Sequence, residues 1–338
     1  MIEPTRSRPP AVGAQGLVKR FARGDGGATV TALDDVSISV EPGELFGFIG
    51  PDGAGKTTLF RILVTLLLPD AGTAEMLGHD VVRDLWALRP RIGYMPGRFS
   101  LYPDLSVEEN LTFFATVFGT TIREQYAQIA PIYSQLEPFK TRRAGALSGG
   151  MKQKLALCCA IVHRPEILFL DEPTTGVDAL SRFEFWNLLA QFKQSGLTII
   201  VSTPYMDEAR RCDRIALMQR GRILATNTPV AVAASFDRPL VAVRVRERHE
   251  AIRALREYPH VNTVYPFGDV LHVTDARRDV DVGRITRDLT VYLRSRNIHE
   301  VAIEPIAPTV EDVFMARMGA PEGEEERGAA TTSPEHVA

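Results

Sequence analysis

A glycine-rich segment that ends in Lys-Thr-Thr is the pattern in this sequence with the clearest chemical meaning. Glycines allow consecutive backbone N–H groups to turn inward around phosphate oxygens, the lysine reaches the β- and γ-phosphates, and the first threonine hydroxyl can ligate Mg²⁺. The segment fits the spacing G-x-x-x-x-G-K-[ST] and consists of Gly50, Pro51, Asp52, Gly53, Ala54, Gly55, Lys56, Thr57 and Thr58. It predicts a phosphate-binding loop, and the alternative is a plain glycine-rich turn.

The elements on either side must place this loop between a strand and a helix. Leu45–Ile49 is an apolar run of the length of a buried strand, and Thr57–Leu68 has a helical pattern. A helix that starts near Lys56 would add the positive end of its dipole to the loop. The order strand, loop, helix is the context that a phosphate loop requires, which disfavours the plain turn.

A second candidate is the acidic pair Asp171 and Glu172, which ends the apolar strand Ile167–Leu170. In nucleoside triphosphatases a carboxylate at this place holds Mg²⁺, here most simply through water. The neighbouring Glu172 is then placed to orient or deprotonate the attacking water. The alternative is an acidic pair that merely caps a strand, and the phosphate loop upstream makes this alternative weaker.

Just upstream of that strand lies the run Leu147-Ser148-Gly149-Gly150-Met151. With the two motifs above, it resembles the signature of the ATP-binding-cassette (ABC) ATPases, and the resemblance covers roughly residues 14–318. It implies an α/β fold: a P-loop ABC cassette with a mixed core sheet and a helical subdomain at about 97–160. It also implies a dimer in which Ser148, Gly149 and Gly150 contact the γ-phosphate of ATP held by a partner cassette. The alternative for this run is simply a capped helix start.

The resemblance extends to two further positions. Phe21 stands where the family places an aromatic ring that stacks on adenine, and the alternative is a core Phe on an edge strand. Asp178, in Gly176-Val177-Asp178, matches the loop that crosses the dimer interface in the family. Its alternative is a helix cap before Ala179, because Asp is a preferred residue there.

Two positions depart from the family pattern. Gly97 stands where the family places a Gln that contacts Mg²⁺ and the attacking water, and Pro204 stands where it places a His that donates to the γ-phosphate. Proline has neither a side-chain donor nor an N–H. Loss of one transition-state donor costs about 10²–10³ in rate, so we expect slow hydrolysis in the chain's own site. We expect near-normal MgATP binding because Lys56, Thr57, Asp171 and the loop backbone are all present. Glu172 argues against complete inactivity.

The chain divides into four expected segments. Residues 1–13 are rich in Pro and Arg and are expected to be frayed, and residues 14–235 form the ATP-binding domain. Residues 236–318 show the order β-α-β-β-α-β of a small ferredoxin-like α+β domain, interpreted as a dimerisation or regulatory unit. Residues 319–338 are poor in apolar residues and are expected to be disordered.

Composition excludes several classes of protein. A formal net charge of -3 over 338 residues gives no sign of nucleic-acid binding, and three cysteines form no disulfide framework. The most apolar helical stretch, Ile62–Leu68, is far shorter than the roughly 20 residues that span a bilayer. The N-terminal residues lack the apolar core of a signal peptide. We therefore expect a cytoplasmic protein that is peripheral on the inner face of the cell membrane and acts through a membrane partner.

Two fragments, residues 100–111 and the Pro-x-x-Glu-Asp-x-Phe run Pro308–Phe314, resemble a bacterial drug-export subgroup whose permease is a separate polypeptide. Phe99 and Tyr102 are candidate apolar contacts for the permease, with ordinary packing as the alternative. Two rival functions stay open: a non-hydrolysing ATP-sensing subunit, and a cassette ATPase without a permease. The sequence also leaves open whether the second cassette is a copy of this chain or a different one.

Overall fold

The computed structural model describes residues 9–23, 27–97 and 101–318. The chain forms two compact units, Met1–Pro229 and Val230–Ala338. Phe99, the first eight residues and the tail at 319–338 lie outside the described residues, so the predictions made for them are not addressed by the structure. Among the described residues, none of the helices has the length and apolar character to cross a bilayer.

The first unit contains ten strands among its described residues. They are β1 (Val12–Arg23), β2 (Gly27–Val40), β3 (Leu45–Ile49), β4 (Ala71–Met76), β5 (His79–Asp80), β6 (Ile92–Met95), β7 (Ile167–Asp171), β8 (Thr198–Thr203), β9 (Arg214–Gln219) and β10 (Arg222–Asn227). The helices up to the boundary of the two units are α1 (Lys56–Leu63), α2 (Leu85–Leu88), α3 (Val107–Val117), α4 (Ile122–Leu136), α5 (Gly149–Ile161), α6 (Ala179–Gln194) and α7 (Pro229–Ala234).

The central sheet has the strand order β10-β9-β3-β8-β7-β6, in which only the β10–β9 pair is antiparallel. Strands β3, β7 and β8 are fully buried, as the apolar runs of parallel strands require. These three strands are neighbours, with Ile49 opposite Thr203 and Asp171 opposite Ser202. Their carboxyl ends therefore bring together the loops that follow them in sequence.

Aromatic packing fixes α1 over these strands. The Phe60 ring on α1 lies 5.8 Å from that of Phe48 on β3 and 5.4 Å from that of Phe169 on β7, in both cases edge to face. Such pairs stabilise beyond the area that they bury. The sequence pattern extended this helix to Leu68, but α1 ends at Leu63 because Thr65 adopts a left-handed backbone with φ 64°.

A second, antiparallel sheet has the order β2-β1-β4-β5. Ala11 and Val12 are buried in it, and the Ala11 N–H donates to the Val40 carbonyl at 2.8 Å. The expectation that residues 1–13 are frayed is therefore wrong from Ala11 onward, because this segment enters strand β1 and the core.

Three helices, α3, α4 and α5, lie between β6 and β7 in the segment predicted as the helical subdomain. Helix α3 begins with a reciprocal cap: the Ser106 hydroxyl accepts from the Glu109 N–H and the Glu109 side chain accepts from the Ser106 N–H. Such a reciprocal cap satisfies two N–H groups that a helix start leaves open.

The second unit contains β11 (Leu240–Val245), α8 (Arg248–Arg256), β12 (Val261–Phe267), β13 (Val270–Asp275), α9 (Val282–Ser295), β14 (Val301–Pro305) and α10 (Val310–Met318). Its sheet is antiparallel with the order β12-β13-β11-β14, and this confirms the predicted ferredoxin-like arrangement.

A buried pair of side chains joins α10 to β13. Because an ionised carboxylate can only accept, the His272 Nδ1–H donates to Asp312 Oδ1, at 2.6 Å. Asp312 Oδ2 accepts from the Thr309 N–H and hydroxyl at 2.8 and 2.7 Å. Burial opposes ionisation of Asp312, but the hydrogen bonds from His272 and Thr309 outweigh it and hold its pKa below the ordinary value.

Candidate functional site

The glycine-rich loop follows β3 and takes a path that only glycine permits at two positions. A Cβ at Gly50 would lie 2.1 Å from the Met218 carbonyl oxygen, and one at Gly55 would lie 2.5 Å from that of Ala32. Gly55 is also left-handed, with φ 105°, and precedes α1 without a side-chain cap. The N–H groups at the start of α1 are thus left to bind an anion.

Lys56 is folded into this loop. Its side chain is almost fully buried, and Nζ donates to the carbonyl oxygens of Gly50 and Pro51 at 2.7 and 3.0 Å. The same Nζ lies 3.2 Å from Glu172 Oε1. The fold therefore joins Lys56, the residue predicted to bind phosphate, and Glu172, the predicted base, in an ion pair, although they are 116 positions apart in sequence.

The loop borders an open pocket of about 290 Å³. Its lining consists of Phe21, Val30, Thr31, Ala32, Gly53, Ala54, Gly55, Lys56, Thr57, Thr58 and Glu172. Phe21 lies on β1 opposite Val30 of β2 and is 42% exposed, so it is not a core residue as the alternative required. Asp52 is exposed at the loop. A half-exposed ring beside a phosphate loop offers a flat surface for a base.

The two carboxylates at the end of β7 differ in backbone conformation. Asp171 ends the strand, is buried, and accepts from the Ser202 hydroxyl at 2.6 Å. Glu172 has a left-handed backbone with φ 51°, and its N–H donates to both the carbonyl and the hydroxyl oxygen of Ser202 at 3.0 Å. This conformation costs a non-glycine residue about 1–2 kcal/mol, and it turns Glu172 away from the line of the strand.

The donors present here suit Mg²⁺. Among the described residues no group of three or more His, Cys, Asp and Glu side chains is arranged to hold a metal ion. A site made of the Thr57 hydroxyl and the Asp171 carboxylate supplies hard oxygens but leaves positions for water and phosphate, as Mg²⁺ prefers. Burial and the nearby Asp171 carboxylate raise the pKa of Tyr94 to about 12, so this phenol stays neutral.

The signature run begins α5. Ser148 precedes the helix and its hydroxyl accepts from the Met151 N–H at 3.4 Å, which is the capped helix start given above as the alternative. Gly149 is exposed, whereas Gly150 is buried and a Cβ there would lie 2.4 Å from the Ser181 hydroxyl. None of these three residues lines the phosphate-loop pocket.

Asp178 precedes α6, and its carboxylate accepts from the Ser181 N–H at 2.9 Å. That hydrogen bond lowers the pKa of Asp178. The helix cap proposed as the alternative is thus present. Asp178 itself is exposed.

Comparison with known proteins agrees with these features. The family model for ABC transporters matches residues 33–175. The chain is 40% identical over 208 residues to the Nod factor export ATP-binding protein I of Paraburkholderia xenovorans (strain LB400), covering 61% of this chain and 68% of that protein. The chain belongs to the ABC transporter family.

Other relatives of this ABC protein match over different lengths. It is 44% identical over 218 residues to the probable multidrug ABC transporter ATP-binding protein YbhF of Escherichia coli (strain K12), but the match spans only 37% of YbhF and 64% of this chain. An ATP-binding subunit of an ABC transporter aligns with a TM-score of 0.59 at 27% identity, over 67% of this chain and 93% of that one. A dimeric ATP-binding cassette, MJ0796, bound to ADP and Pi aligns with a TM-score of 0.58 at 24% identity, over 64% and 98%, and shows the shared fold.

Both departures of this ABC cassette from its family pattern lie at the ends of strands beside or near β7. Gly97 follows β6, and a Cβ there would lie 2.9 Å from the Asp171 carbonyl oxygen, so a larger residue must displace the backbone. Pro204 follows β8, directly after Thr203, whose carbonyl oxygen accepts from the Gly50 N–H at 3.2 Å. Neither residue presents a side-chain donor to the pocket.

Ser202 is a residue of this cassette that belongs to none of the sequence motifs described above. It is fully buried in β8 and bonds both the Asp171 carboxylate and the Glu172 N–H. The available signal was weak: a serine near the end of an otherwise apolar run, Thr198–Thr203.

Proposed function

We propose that this chain is the ATP-binding subunit of an ABC exporter, which binds MgATP at the interface between two cassettes and powers a separate membrane permease. The observation that carries the proposal is the junction of the glycine cradle, buried Lys56 and Glu172, with Nζ 3.2 Å from the carboxylate. A multidrug and a Nod factor export protein among its relatives favour export as the transport direction.

Each predicted residue then has a task in binding or hydrolysis. Lys56 and the N–H groups at the start of α1 bind the phosphates, while Phe21 stacks on the adenine. Thr57 and Asp171 would hold Mg²⁺, which when bound supplies charge neutralisation of the phosphate oxygens. Glu172 orients the attacking water and accepts its proton. The distance of 3.2 Å between Lys56 Nζ and Glu172 Oε1 supports a base that lies near the phosphate bound by Lys56.

The signature acts on a second cassette in this proposal. Ser148, Gly149, Gly150 and Asp178 would contact the ATP that the partner holds. Their absence from the lining of the chain's own phosphate pocket supports this division, as do the exposed Gly149 and Asp178. A homodimer would carry Gly97 and Pro204 in both sites, whereas a different partner could supply one complete site.

The chain's own site is proposed to hydrolyse slowly. The Gln and His that the family uses are replaced by Gly97 and Pro204, and about 10²–10³ in rate is expected for each lost donor. The loop, Lys56, Thr57 and Asp171 needed for binding are in place, so binding is retained. These replacements also favour the second candidate, a non-hydrolysing ATP-sensing subunit, which differs in having no turnover even when fully assembled.

An apolar groove is the proposed docking site for a segment of the permease. It measures about 420 Å³ and includes Leu66, Leu101, Phe114, Val117, Phe118 and Cys159. Leu66 and Val117 are each about 60% exposed, and such clustered exposure is typical of an interaction surface. Tyr102 is half exposed, with its ring edge-to-face on Phe113. Docking there places the chain on the cytoplasmic face of the membrane.

The domain roles follow from this assignment. Residues 14–235 are proposed to act as the ATP-binding domain and 236–318 as a dimerisation or regulatory unit. Co-purification of the chain with a permease from solubilised membranes tests the partner directly. Recovery of an active cassette with no membrane protein bound would instead support a cassette ATPase that works without a permease.

Nucleotide binding and turnover of the purified chain test the core of the proposal. We expect tight binding of a fluorescent ATP analogue, its loss in Lys56→Ala, and a low rate of phosphate release. Pro204→His should raise that rate, and adding Gly97→Gln tests the second donor, although this change must displace the Asp171 carbonyl contact. No nucleotide binding would overturn the proposal, and rapid turnover by the unmodified chain would contradict the slow site.

A further inference from the structure

Ser202 occupies a position from which one side chain contacts both carboxylate residues of the site. It is the fifth residue of β8 and is fully buried. Its hydroxyl donates to Asp171 Oδ1 at 2.6 Å and accepts from the Glu172 N–H at 3.0 Å. The hydroxyl is thus the physical link between the predicted metal carboxylate and the predicted base.

The backbone of Glu172 depends on the same residue. A φ of 51° is disfavoured for glutamate, and the N–H that defines this turn is held by the carbonyl and hydroxyl oxygens of Ser202. The Glu172 side chain then reaches Lys56. Loss of the hydroxyl would leave one of these two bonds and would free the Asp171 carboxylate to rotate.

We propose that Ser202 is a positioning residue for the metal and base side chains of the nucleotide site, and this rests on the proposed function. Ser202 fixes which Asp171 oxygen is engaged by protein, so that the other remains for the cation. Groups that orient a metal ligand typically contribute 10–100-fold to metal affinity. Loss of the Ser202 hydroxyl should therefore lower the affinity for the metal ion much more than the affinity for ATP.

A buried hydroxyl at the other end of β8 provides a matched control. Thr198 is 3% exposed and its hydroxyl accepts from the Gly43 N–H at 2.9 Å. It stands opposite Ile167, the first residue of β7, whereas Ser202 stands opposite Asp171, the last. Four residues of strand separate the two hydroxyls by about 13 Å.

The test is a Mn²⁺ titration of the ATP-bound chain, followed by electron paramagnetic resonance, together with binding of a fluorescent ATP analogue in EDTA. Ser202→Ala should raise the half-saturating Mn²⁺ concentration about tenfold and leave binding in EDTA within twofold of the unmodified chain. Ser202→Thr keeps the hydroxyl and should retain at least half of the affinity. Thr198→Val should match the unmodified chain in both measurements.

The outcomes separate this inference from the proposed function. If the unmodified chain binds no nucleotide, the proposed function fails. If it binds MnATP and Ser202→Ala binds Mn²⁺ equally well, only the positioning role fails. Equal loss in Ser202→Thr and Ser202→Ala would also overturn it, because the hydroxyl would then be irrelevant. Should Ser202→Ala not fold, Ser202→Cys has nearly the same volume and only a weak donor, and it must show the same loss of Mn²⁺ affinity.

Discussion

Two buried aspartates, one in each unit, are held in different ways. Asp312 in the second unit accepts three hydrogen bonds, one from His272 and two from Thr309. Asp171 in the first unit is equally buried, but within the described residues only the Ser202 hydroxyl donates to its carboxylate.

This difference in hydrogen bonding agrees with the role proposed for Asp171, which is to bind Mg²⁺. A buried charge is tolerated when hydrogen bonds and an opposite charge satisfy it, and Asp312 meets this condition within the chain. Asp171 meets this condition only in part, because its carboxylate accepts one side-chain hydrogen bond, from Ser202. A buried carboxylate that accepts a single side-chain hydrogen bond can also accept a cation as a partner, which is the role proposed for Asp171.

The largest effect is expected on stability, when Asp312 is removed. Asp312→Ala leaves His272 and the Thr309 N–H without their acceptor in a buried place, which should lower the free energy of unfolding of the second unit by about 3 kcal/mol. Urea denaturation followed by circular dichroism measures this loss. Nucleotide binding in the first unit should be unchanged. A loss below about 1 kcal/mol would show that the pair contributes little.

The next largest effect is expected at Asp171, where metal-dependent binding should change more than stability. Asp171→Ala should weaken Mg²⁺-dependent ATP binding about a hundredfold, or about 2.7 kcal/mol, because it removes the carboxylate that is proposed to hold Mg²⁺. The free energy of unfolding should change by less than about 1 kcal/mol, since Ser202 keeps its bond to the Glu172 N–H. Magnesium titration and urea denaturation of one preparation give both numbers. Large destabilisation with intact metal dependence would reverse the contrast between the two aspartates.

A smaller effect on stability is expected when a side chain at position 97 contacts the backbone of Asp171. In Gly97→Ala the new methyl group would meet the Asp171 carbonyl oxygen at 2.9 Å, so the loop must shift at a cost of about 2 kcal/mol. Gly13→Ala is the matched control, because its new Cβ meets nothing closer than 3.7 Å. Thermal unfolding of the two variants should differ accordingly. Equal melting temperatures would mean that the loop yields freely.

The smallest effect is the contribution of Asp312 to the pH dependence of the unfolding free energy. Because folding lowers the pKa of Asp312, its contribution is complete above the ordinary carboxyl value of 3.8 and is lost as pH falls through the lowered folded value. The loss per pH unit is at most about 1.4 kcal/mol for one proton. Unfolding free energies measured between about pH 5 and pH 2.5 should decline less steeply in Asp312→Asn than in the unmodified chain. Parallel curves would exclude Asp312 as the titrating group.

Much of the fold was predictable because its signals are local. The apolar runs predicted β3 and β7, and the order of elements in residues 236–318 predicted the ferredoxin-like unit. The errors occurred where tertiary context overrides pattern. Helix α1 stops at Leu63 although the apolar residues continue, and Ala11 is buried although the segment before it is rich in prolines and arginines.

The sequence alone determined the phosphate loop, the acidic pair and the signature run, because each consists of adjacent residues whose spacing defines the backbone that they form. Only the tertiary structure decided which side chains serve them. Ser202 reaches Asp171 from 31 positions away, His272 reaches Asp312 from 40, and Gly97 lies against a carbonyl oxygen of another strand. The contacts of Ser202 and Gly97 depend on strand register, in which a one-residue slip turns every side chain to the opposite face, and the contact of His272 with Asp312 depends on the packing of a helix on a strand. No local pattern can specify such contacts.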